Sequence, residues 1–298
     1  MASLKEVKTR IASVNSTRKI TSAMKMVASS KLHRAQQAIE SMRPYERQLT
    51  HIMSAFVAGM EGEIETPYSA VREVKRVVIV LYMSNSSLCG GFNSNVIKAF
   101  THKVQKYREN GVEIVKVYPL GKKATDAVKK AGFKIDSDFS SLLDHPAFVP
   151  AAKIAEEIME LYVSGVIDKA DLIYHHFKSA GSQILTEDTF LPVTLSEDVT
   201  VSANASHASK EKEWKLDYIV EPSKQDVFKE LVPKSLHLKL YTALLDSLAS
   251  EHAARVIAMQ VATDNADDLL RELTLTYNKT RQQAITAELL DIVGGSMQ

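Results

Sequence analysis

The sequence predicts an α/β protein in which a long antiparallel coiled coil of the N- and C-terminal helices carries an inserted Rossmann-like α/β domain. Three observations predict this fold. Residues 1–43 and residues 234–293 contain neither glycine nor proline, and strand-like and helix-like segments alternate between them. With 298 residues, of which 45% are hydrophobic, the chain is long enough for about two domains and can bury a core.

The N-terminal segment predicts a single long helix. Because an α-helix rises 1.5 Å per residue, residues 1–43 can span about 65 Å before Pro44. Apolar residues at three- and four-residue spacing predict a coiled-coil seam whose register slips around Arg18 and Lys19. The expected seam positions are Leu4, Val7, Ile11 and Val14, then Ile20, Met24, Val27, Leu32, Ala35, Ile39 and Met42. We assign residues 1–60 to this coiled-coil arm.

The C-terminal segment predicts a second helix, on the order of 90 Å long, between Pro233 and Gly294. Its expected seam is Val256, Met259, Ala262, Ala266, Leu269, Leu273, Tyr277, Thr280, Ala284 and Ala287. A single globular domain cannot cover helices of this length, so we expect the two termini to pair in antiparallel fashion. We assign residues 223–298 to this second arm.

The middle of the chain, residues 74–195, predicts a mainly parallel sheet with helices on its faces. The expected strands are Val74–Tyr82, Val112–Tyr118, Ala170–Phe177 and Phe190–Leu195, and the expected helices are Ser94–Glu109, Lys122–Lys130 and Pro150–Val163. Residues 196–222, which are rich in Ser, Glu and Lys, predict a mobile linker with a short strand.

No motif of the sequence predicts a cofactor, metal or catalytic site. The turn containing Gly90 and Gly91 follows a strand, but it lacks the spacing of dinucleotide and Walker loops. A tight turn that needs both glycines for backbone freedom is therefore expected. His175 and His176 are adjacent in a strand and point to opposite faces. Cys89 is the single cysteine, so it cannot form an internal disulfide, and we expect it to be buried.

The charge of the chain is uneven, although its formal net charge is only +1. Residues 1–50 hold ten Lys or Arg against Glu6, Glu40 and Glu46, which predicts an acidic partner or a solvated face. Without interleaved aromatic residues, nucleic acid is not expected. No apolar run is long enough to span a membrane. The basic N-terminus fits a transit peptide superficially, but Glu6 and the continuing helical pattern favour residue 1 as the mature start.

Both ends of the chain resemble the gamma subunit of F-type ATP synthases. At the N-terminus the resemblance covers residues 11–21 and 23–28, and at the C-terminus it covers residues 262–266, 277–278, 281–282 and 285–289. The segments 250–255, 88–93, 217–218 and 221–222 are also similar, so the resemblance extends over nearly the whole chain. The sequence departs from the family at Asn85 and Ser87, where the family often has an acid and a glycine.

The resemblance implies a non-catalytic rotor shaft inside an alpha-beta hexamer, with the inserted domain against the epsilon subunit and the membrane c-ring. It also implies a peripheral position at the cytoplasmic face of the bacterial inner membrane, because the chain lacks the cysteine pair of a chloroplast thiol switch. ATP chemistry would belong to the hexamer. The residues that match partner-contact positions of the family are Met24, Lys25, Arg255, Arg281, Gln282, Thr286 and Glu288.

Two other interpretations remain open from the sequence. One is a cytosolic enzyme whose α/β domain binds a nucleotide and whose helices form a dimerisation stalk. The other is a homodimeric coiled-coil scaffold. Binding of ATP, NAD or FMN would favour the first, and self-association without assembly into a larger particle would favour the second.

Overall fold

The computed structural model describes residues 3–58, 66–193, 221 and 223–295. The helices are α1 (Leu4–Ala58), α2 (Phe92–Glu109), α3 (Lys122–Lys130), α4 (Ser140–Asp144), α5 (Phe148–Val163) and α6 (Lys224–Gly295). The strands are β1 (Arg76–Tyr82), β2 (Glu113–Leu120), β3 (Lys169–Ser179) and β4 (Ser182–Leu191). The predicted linker at residues 196–222 lies outside the described residues, apart from residue 221.

The sheet has the strand order β2-β1-β3-β4. β1 is parallel to both β2 and β3, whereas β4 returns antiparallel to β3. The mainly parallel sheet predicted from the sequence is therefore confirmed. The strand expected at residues 190–195 begins earlier, at Ser182, because β3 and β4 form a hairpin that the hydrophobic pattern did not separate.

Alternate residues of the buried strand β1 supply two cores on opposite faces of the sheet. Val77, Ile79 and Leu81 pack with α2 and α3 on one face. Val78 and Val80 pack on the other face with residues of α5, α1 and the first part of α6. Every residue from Val77 to Tyr82 is fully buried, which explains why this strand is a continuous apolar run.

Both long helices continue through a proline, so each extends beyond the stretch that is free of glycine and proline. Pro44 lies inside α1 and Pro233 lies inside α6, within the arms assigned to residues 1–60 and 223–298. A proline inside a helix costs about 3 kcal/mol. Packing outweighs this cost, because Leu49 beyond the first proline and Phe228 before the second are buried in the core.

The chain folds into two compact units. The first comprises Met1–Ser30 with Arg255–Gln298, and the second comprises Lys31–Ala254. The second unit contains the sheet, and Tyr82 in its core donates a hydrogen bond of 3.1 Å to the carbonyl oxygen of Leu240. None of the described helices is both long and apolar enough to cross a membrane.

The turn after β1 is held by its own side chains. Asn93 donates to Ser84 Oγ at 2.7 Å and to Cys89 Sγ at 3.1 Å, and its carbonyl oxygen accepts from the Ser84 amide at 3.2 Å. Cys89 is buried as predicted. Of the two glycines only Gly90 has a positive φ, +58°. Leu88, in the same turn, also has a positive φ, +66°. The expectation that Gly91 needs this freedom is wrong, since Gly91 has helical φ and ψ at the start of α2.

The adjacent histidines of β3 have opposite environments, as their alternation predicts. His175 is buried, its ring stacks on Phe92 at 4.5 Å, and burial lowers its pKa to about 4. His176 Nδ1 hydrogen-bonds Asp246 Oδ2 of α6 at 2.5 Å, and this bond raises the pKa of His176. Glu46 of α1 lies near the pair, and burial raises the pKa of its carboxyl group.

Candidate partner-contact site

Helix α1 has an unbroken heptad pattern of buried and half-buried positions from residue 4 to residue 42. Along α1 every one of positions 4, 7, 11, 14, 18, 21, 25, 28, 32, 35, 39 and 42 is buried or half-buried, and the spacings alternate strictly between three and four. The predicted slip at Arg18 is therefore wrong. Four seam positions are simply polar or small, namely Arg18, Thr21, Lys25 and Ala28, and a search for apolar residues passes over them.

Two contacts fix the antiparallel register of the unit. Thr21 and Thr263 share a hydrogen bond between their hydroxyl groups at 2.9 Å. Arg18 Nη1 donates to Asp267 Oδ1 at 2.9 Å, with both side chains about two-fifths exposed. On α6 the predicted seam is confirmed at Met259, Ala266 and Leu273, which are buried. Leu269 is 40% exposed, because half-buried Leu270 takes the seam position instead.

Because the heptad is continuous, an apolar stripe of α1 faces outward. Ile20 and Val27 are 60% and 59% exposed, although both were predicted to lie in the seam. Met24, which is half-buried, lies between them at i+4 and i+7 spacing on one face of α1. Lys25 is half-buried at the neighbouring seam position. The first patch of the candidate site is thus the stripe of Ile20, Met24 and Val27 with Lys25 at its edge.

The second patch lies near the end of α6. The register that places residue 18 beside residue 267 brings Leu4, the first residue of α1, to the level of about residue 281. Beyond that level no described part of α1 accompanies α6, and all ten residues from 281 to 290 are exposed. Ala284 and Ala287, which were predicted as seam residues, therefore have no partner helix among the described residues.

The exposed end of α6 combines polar and large apolar residues. Arg281, Gln282, Thr286 and Glu288 are all exposed, and the Thr286 hydroxyl donates to the Gln282 carbonyl oxygen of its own helix at 2.9 Å. Apolar side chains interleave with them: Ile285, Leu289, Leu290, Ile292 and Val293 are between 45% and 66% exposed. A contiguous exposed apolar surface of this kind is typical of a site that another chain covers.

The structure does not bring the seven predicted contact residues together. Met24 and Lys25 lie about 20 residues along the helix pair from the level of Arg281, which corresponds to roughly 30 Å. Arg255 differs from the other six because it is only 8% exposed. A buried guanidinium offers little surface to another chain, so Arg255 is the weakest member of the set. The sequence analysis placed Ile20 and Val27 in the seam, although both face outward. Assigning the polar residues at positions 18, 21 and 25 to the seam would have predicted this outward orientation.

A cleft of the described chain lies away from the glycine turn. This cavity of about 480 Å³ lies beside the C-terminal part of α2 and is lined by His102, Lys103, Lys106, Tyr107 and Lys169 among others. None of residues 84–93 lines it. Within the described ranges no three His, Cys, Asp or Glu side chains are grouped to hold a metal ion.

Comparison with known proteins gives matches over the full length of the chain. The family model described as ATP synthase matches residues 3–297. The ATP synthase gamma chain of Phocaeicola vulgatus is 55% identical over 297 residues, and that of Bacteroides thetaiotaomicron is 54% identical over 303 residues. Each alignment covers 100% of both chains.

Solved structures with a similar fold come from two mitochondrial ATP synthases. The rotor of the Euglena gracilis enzyme in rotational state 1 matches with a TM-score of 0.59 at 20% identity, covering 95% of this chain and 98% of that chain. The central stalk and c-ring structure of the Tetrahymena thermophila enzyme matches with a TM-score of 0.52 at 22% identity, covering 82% and 99%. At these identities the likeness concerns the fold.

Proposed function

Because the chain belongs to the ATP synthase gamma-chain family, we propose that it is the central-stalk rotor subunit of a bacterial ATP synthase. It couples rotation of the membrane ring to conformational change in the catalytic alpha-beta hexamer during ATP synthesis or hydrolysis. Its partners are the alpha and beta subunits, the epsilon subunit and the c-ring. The similar solved structures are those of a rotor and of a central stalk with its c-ring, which supports these partners.

The observation that carries this proposal is the exposed end of α6. Residues 281–290 are exposed on every side, yet five large apolar side chains lie between positions 285 and 293. An exposed apolar surface of this kind is typical of a site that other chains cover. A hexamer with a central opening can contact all sides of this helix end, both its polar and its apolar residues.

We propose that the chain itself is non-catalytic and that the ATP chemistry belongs to the hexamer. The turn that a nucleotide phosphate would occupy in a similar α/β domain is filled by the hydrogen bonds of Ser84, Cys89 and Asn93. Calorimetry of the isolated chain with ATP, NAD and FMN tests this part. One-to-one binding in the micromolar range would contradict it.

The mechanism we propose is differential contact. A partner shifts a two-state equilibrium only when it contacts the two states unequally. The first patch is apolar with one cation, Lys25, and it fits an acidic lever of a catalytic subunit. Arg281 forms no ion pair among the described residues, and its guanidinium can donate two parallel hydrogen bonds to a carboxylate or a carbonyl. Each patch would therefore favour one conformation of the subunit that it faces.

The proposed location is the cytoplasmic face of the bacterial inner membrane, where the chain is held through its complex. The similarity to bacterial gamma chains supports this setting. Fractionation of the host cells tests it directly: the chain should sediment with membranes and be released together with the other subunits of the catalytic hexamer.

The contact patches are tested by substitution in the assembled enzyme. Arg281→Ala, which removes the guanidinium, and Met24→Lys, which places a charge in the apolar stripe, should each reduce coupled ATP synthesis about tenfold, whereas Arg281→Lys should have an intermediate effect. Arg271→Ala is a matched control, because Arg271 is an exposed α6 arginine that pairs only weakly with Asp268 at 3.4 Å.

Two results would contradict the contact proposal. Synthesis and hydrolysis could remain unchanged in both the Arg281→Ala and Met24→Lys enzymes, or the Arg271→Ala control could lose as much activity as they do. Subunit composition should be measured in every preparation, so that a loss of coupling is separated from a loss of assembly.

A further inference from the structure

We propose that the outer surface of α2 and α3 is a docking face for an anionic phospholipid surface. We call it the lysine face, and it comprises Lys98, Lys106, Lys122, Lys129, Lys130 and Lys134. All six side chains are exposed, and none forms an ion pair within the described part of the chain. This inference lies in the second unit and is independent of the two contact patches proposed on α1 and at the end of α6.

The six lysines belong to one layer of the fold. α2 and α3 both pack on the sheet face formed by Val77, Ile79 and Leu81. The segment that follows α3 is tied to α2, because the Phe133 ring contacts Phe100 edge-on at 6.2 Å and the Arg108 guanidinium lies 5.7 Å from its centre. The outward sides of the two helices therefore form a common surface.

The charge of this layer is strongly one-sided. α2 carries four Lys or Arg against Glu109 alone, and α3 carries four lysines against Asp126 alone. Each helix thus has a net charge of +3, and the segment that follows α3 adds Lys134 together with Asp136 and Asp138. On the opposite face of the sheet α5 has the reverse sign, with Lys153 against three glutamates. The layer is basic although the whole chain is nearly neutral.

Of the other cations of α2 and α3, Arg108 is exposed over the Phe133 ring, and the two remaining lysines are paired with acids. Lys103 contacts the buried carboxylate of Asp171 at 3.1 Å and Glu187 at 3.1 Å. Lys123 lies 3.9 Å from Asp126. The exposed acids near the lysine face are Glu109 of α2, Asp126 of α3, and Asp136 and Asp138 of the segment that follows. The pKa of Asp138 is lowered mainly by hydrogen bonds from Ser140, and Lys122 and Lys129 add to this effect.

Within α2 and α3 the lysines of the face are regularly spaced. On α2, Lys98, His102 and Lys106 follow one another at i+4 intervals, so they lie in one row on its exposed side. On α3, Lys122 and Lys129 are two turns apart with Lys130 adjacent. Lys106 and His102 also line the cleft beside the C-terminal part of α2, whereas the other five lysines do not, so most of the face is an open charged surface.

The composition of the face favours a lipid surface over the other polyanions. Protein interfaces are enriched in aromatic residues and arginine and depleted in lysine, whereas this face is almost purely lysine. The stacking aromatics Phe, Tyr and Trp, which single-stranded nucleic acid requires, are absent from the exposed residues of α2 and α3. A layer of lipid headgroups needs only diffuse positive charge, and each lysine near such a surface strengthens binding by about fivefold.

The experiment uses the purified full chain and vesicles. Flotation with vesicles of about 30% phosphatidylglycerol in phosphatidylcholine should show binding at roughly 50 mM salt that is largely lost at roughly 500 mM salt, and little binding to pure phosphatidylcholine. The triple variant Lys129→Gln, Lys130→Gln and Lys134→Gln should weaken binding about hundredfold. A second triple, Lys98→Gln, Lys106→Gln and Lys122→Gln, should do the same.

The matched control removes the same charge from another surface: Lys5→Gln, Lys8→Gln and Lys31→Gln, three exposed lysines of α1. It should change binding by less than about threefold. The proposal is overturned if the chain does not bind phosphatidylglycerol vesicles, or if the control weakens binding as much as the two triples. Binding to polyglutamate without binding to vesicles would also overturn it and indicate an acidic protein partner.

Discussion

A cysteine pair across the seam of the first unit tests the antiparallel register. We propose Thr21→Cys with Thr263→Cys in a chain whose single cysteine is replaced, Cys89→Ser. The two hydroxyl oxygens lie 2.9 Å apart, and the residues are 242 positions apart in sequence. In the chain-entropy description, a disulfide that closes a loop of this length stabilises the folded state by about 5 kcal/mol at most, because it restricts the unfolded chain.

The assay is mild oxidation followed by non-reducing electrophoresis and thermal unfolding. The cross-linked monomer should migrate faster than the reduced chain, and its Tm should fall when reductant is added. Ile20→Cys with Thr263→Cys is the control, since Ile20 faces outward and should not react. Efficient cross-linking of this control, or formation of intermolecular dimers alone by the Thr21 pair, would refute the register.

Three further predictions concern the second unit. The wild-type chain should lose roughly 3 kcal/mol of stability as the pH falls from about 6.5 to about 4, because only the unfolded chain protonates the His175 ring over this range. His175→Phe should abolish this loss, which urea unfolding at about pH 4.5 and 7.5 measures. His176→Gln should have the opposite pH dependence, because the hydrogen bond of the charged ring stabilises the chain by about 0.5 kcal/mol below the usual histidine pKa. This stabilisation is lost as the pH rises through the raised pKa, so the unfolding free energies of wild type and variant should converge above it. Gly121→Ala should destabilise the chain by about 3 kcal/mol or more, since a Cβ would lie 2.3 Å from the Met83 carbonyl oxygen, whereas Gly132→Ala, also at positive φ but in open space, should cost about 1 kcal/mol in the same assay.

The sequence was sufficient for the strands of the parallel sheet and for the two terminal helices. β1 contains six consecutive fully buried apolar residues, Val77 to Tyr82, and a short run of this kind is typical of a strand that is covered on both faces. The helix ends were less predictable. Pro44 and Pro233 are local signals for a break, but the free energy of burying Leu49 and Phe228 is a property of the tertiary structure.

The candidate site was predictable only in part, for a related reason. The heptad through α1 includes Arg18, Thr21 and Lys25, so apolar residues alone indicated a slip that does not exist. The hydrogen bond to Thr263 and the ion pair with Asp267 stabilise two of those polar positions, and neither partner is recognisable before the helices are aligned. The outward position of Ile20 and Val27 then follows from the register.

The central claim is that the chain turns within a catalytic hexamer, and observation of rotation tests it most directly. A bead is attached through Lys130→Cys, an exposed position on α3, in a Cys89→Ser background, and the hexamer of the assembled enzyme is fixed to a surface. On addition of ATP the bead should rotate continuously in one direction. A bead that stays still while the same molecules hydrolyse ATP at the normal rate would contradict the account.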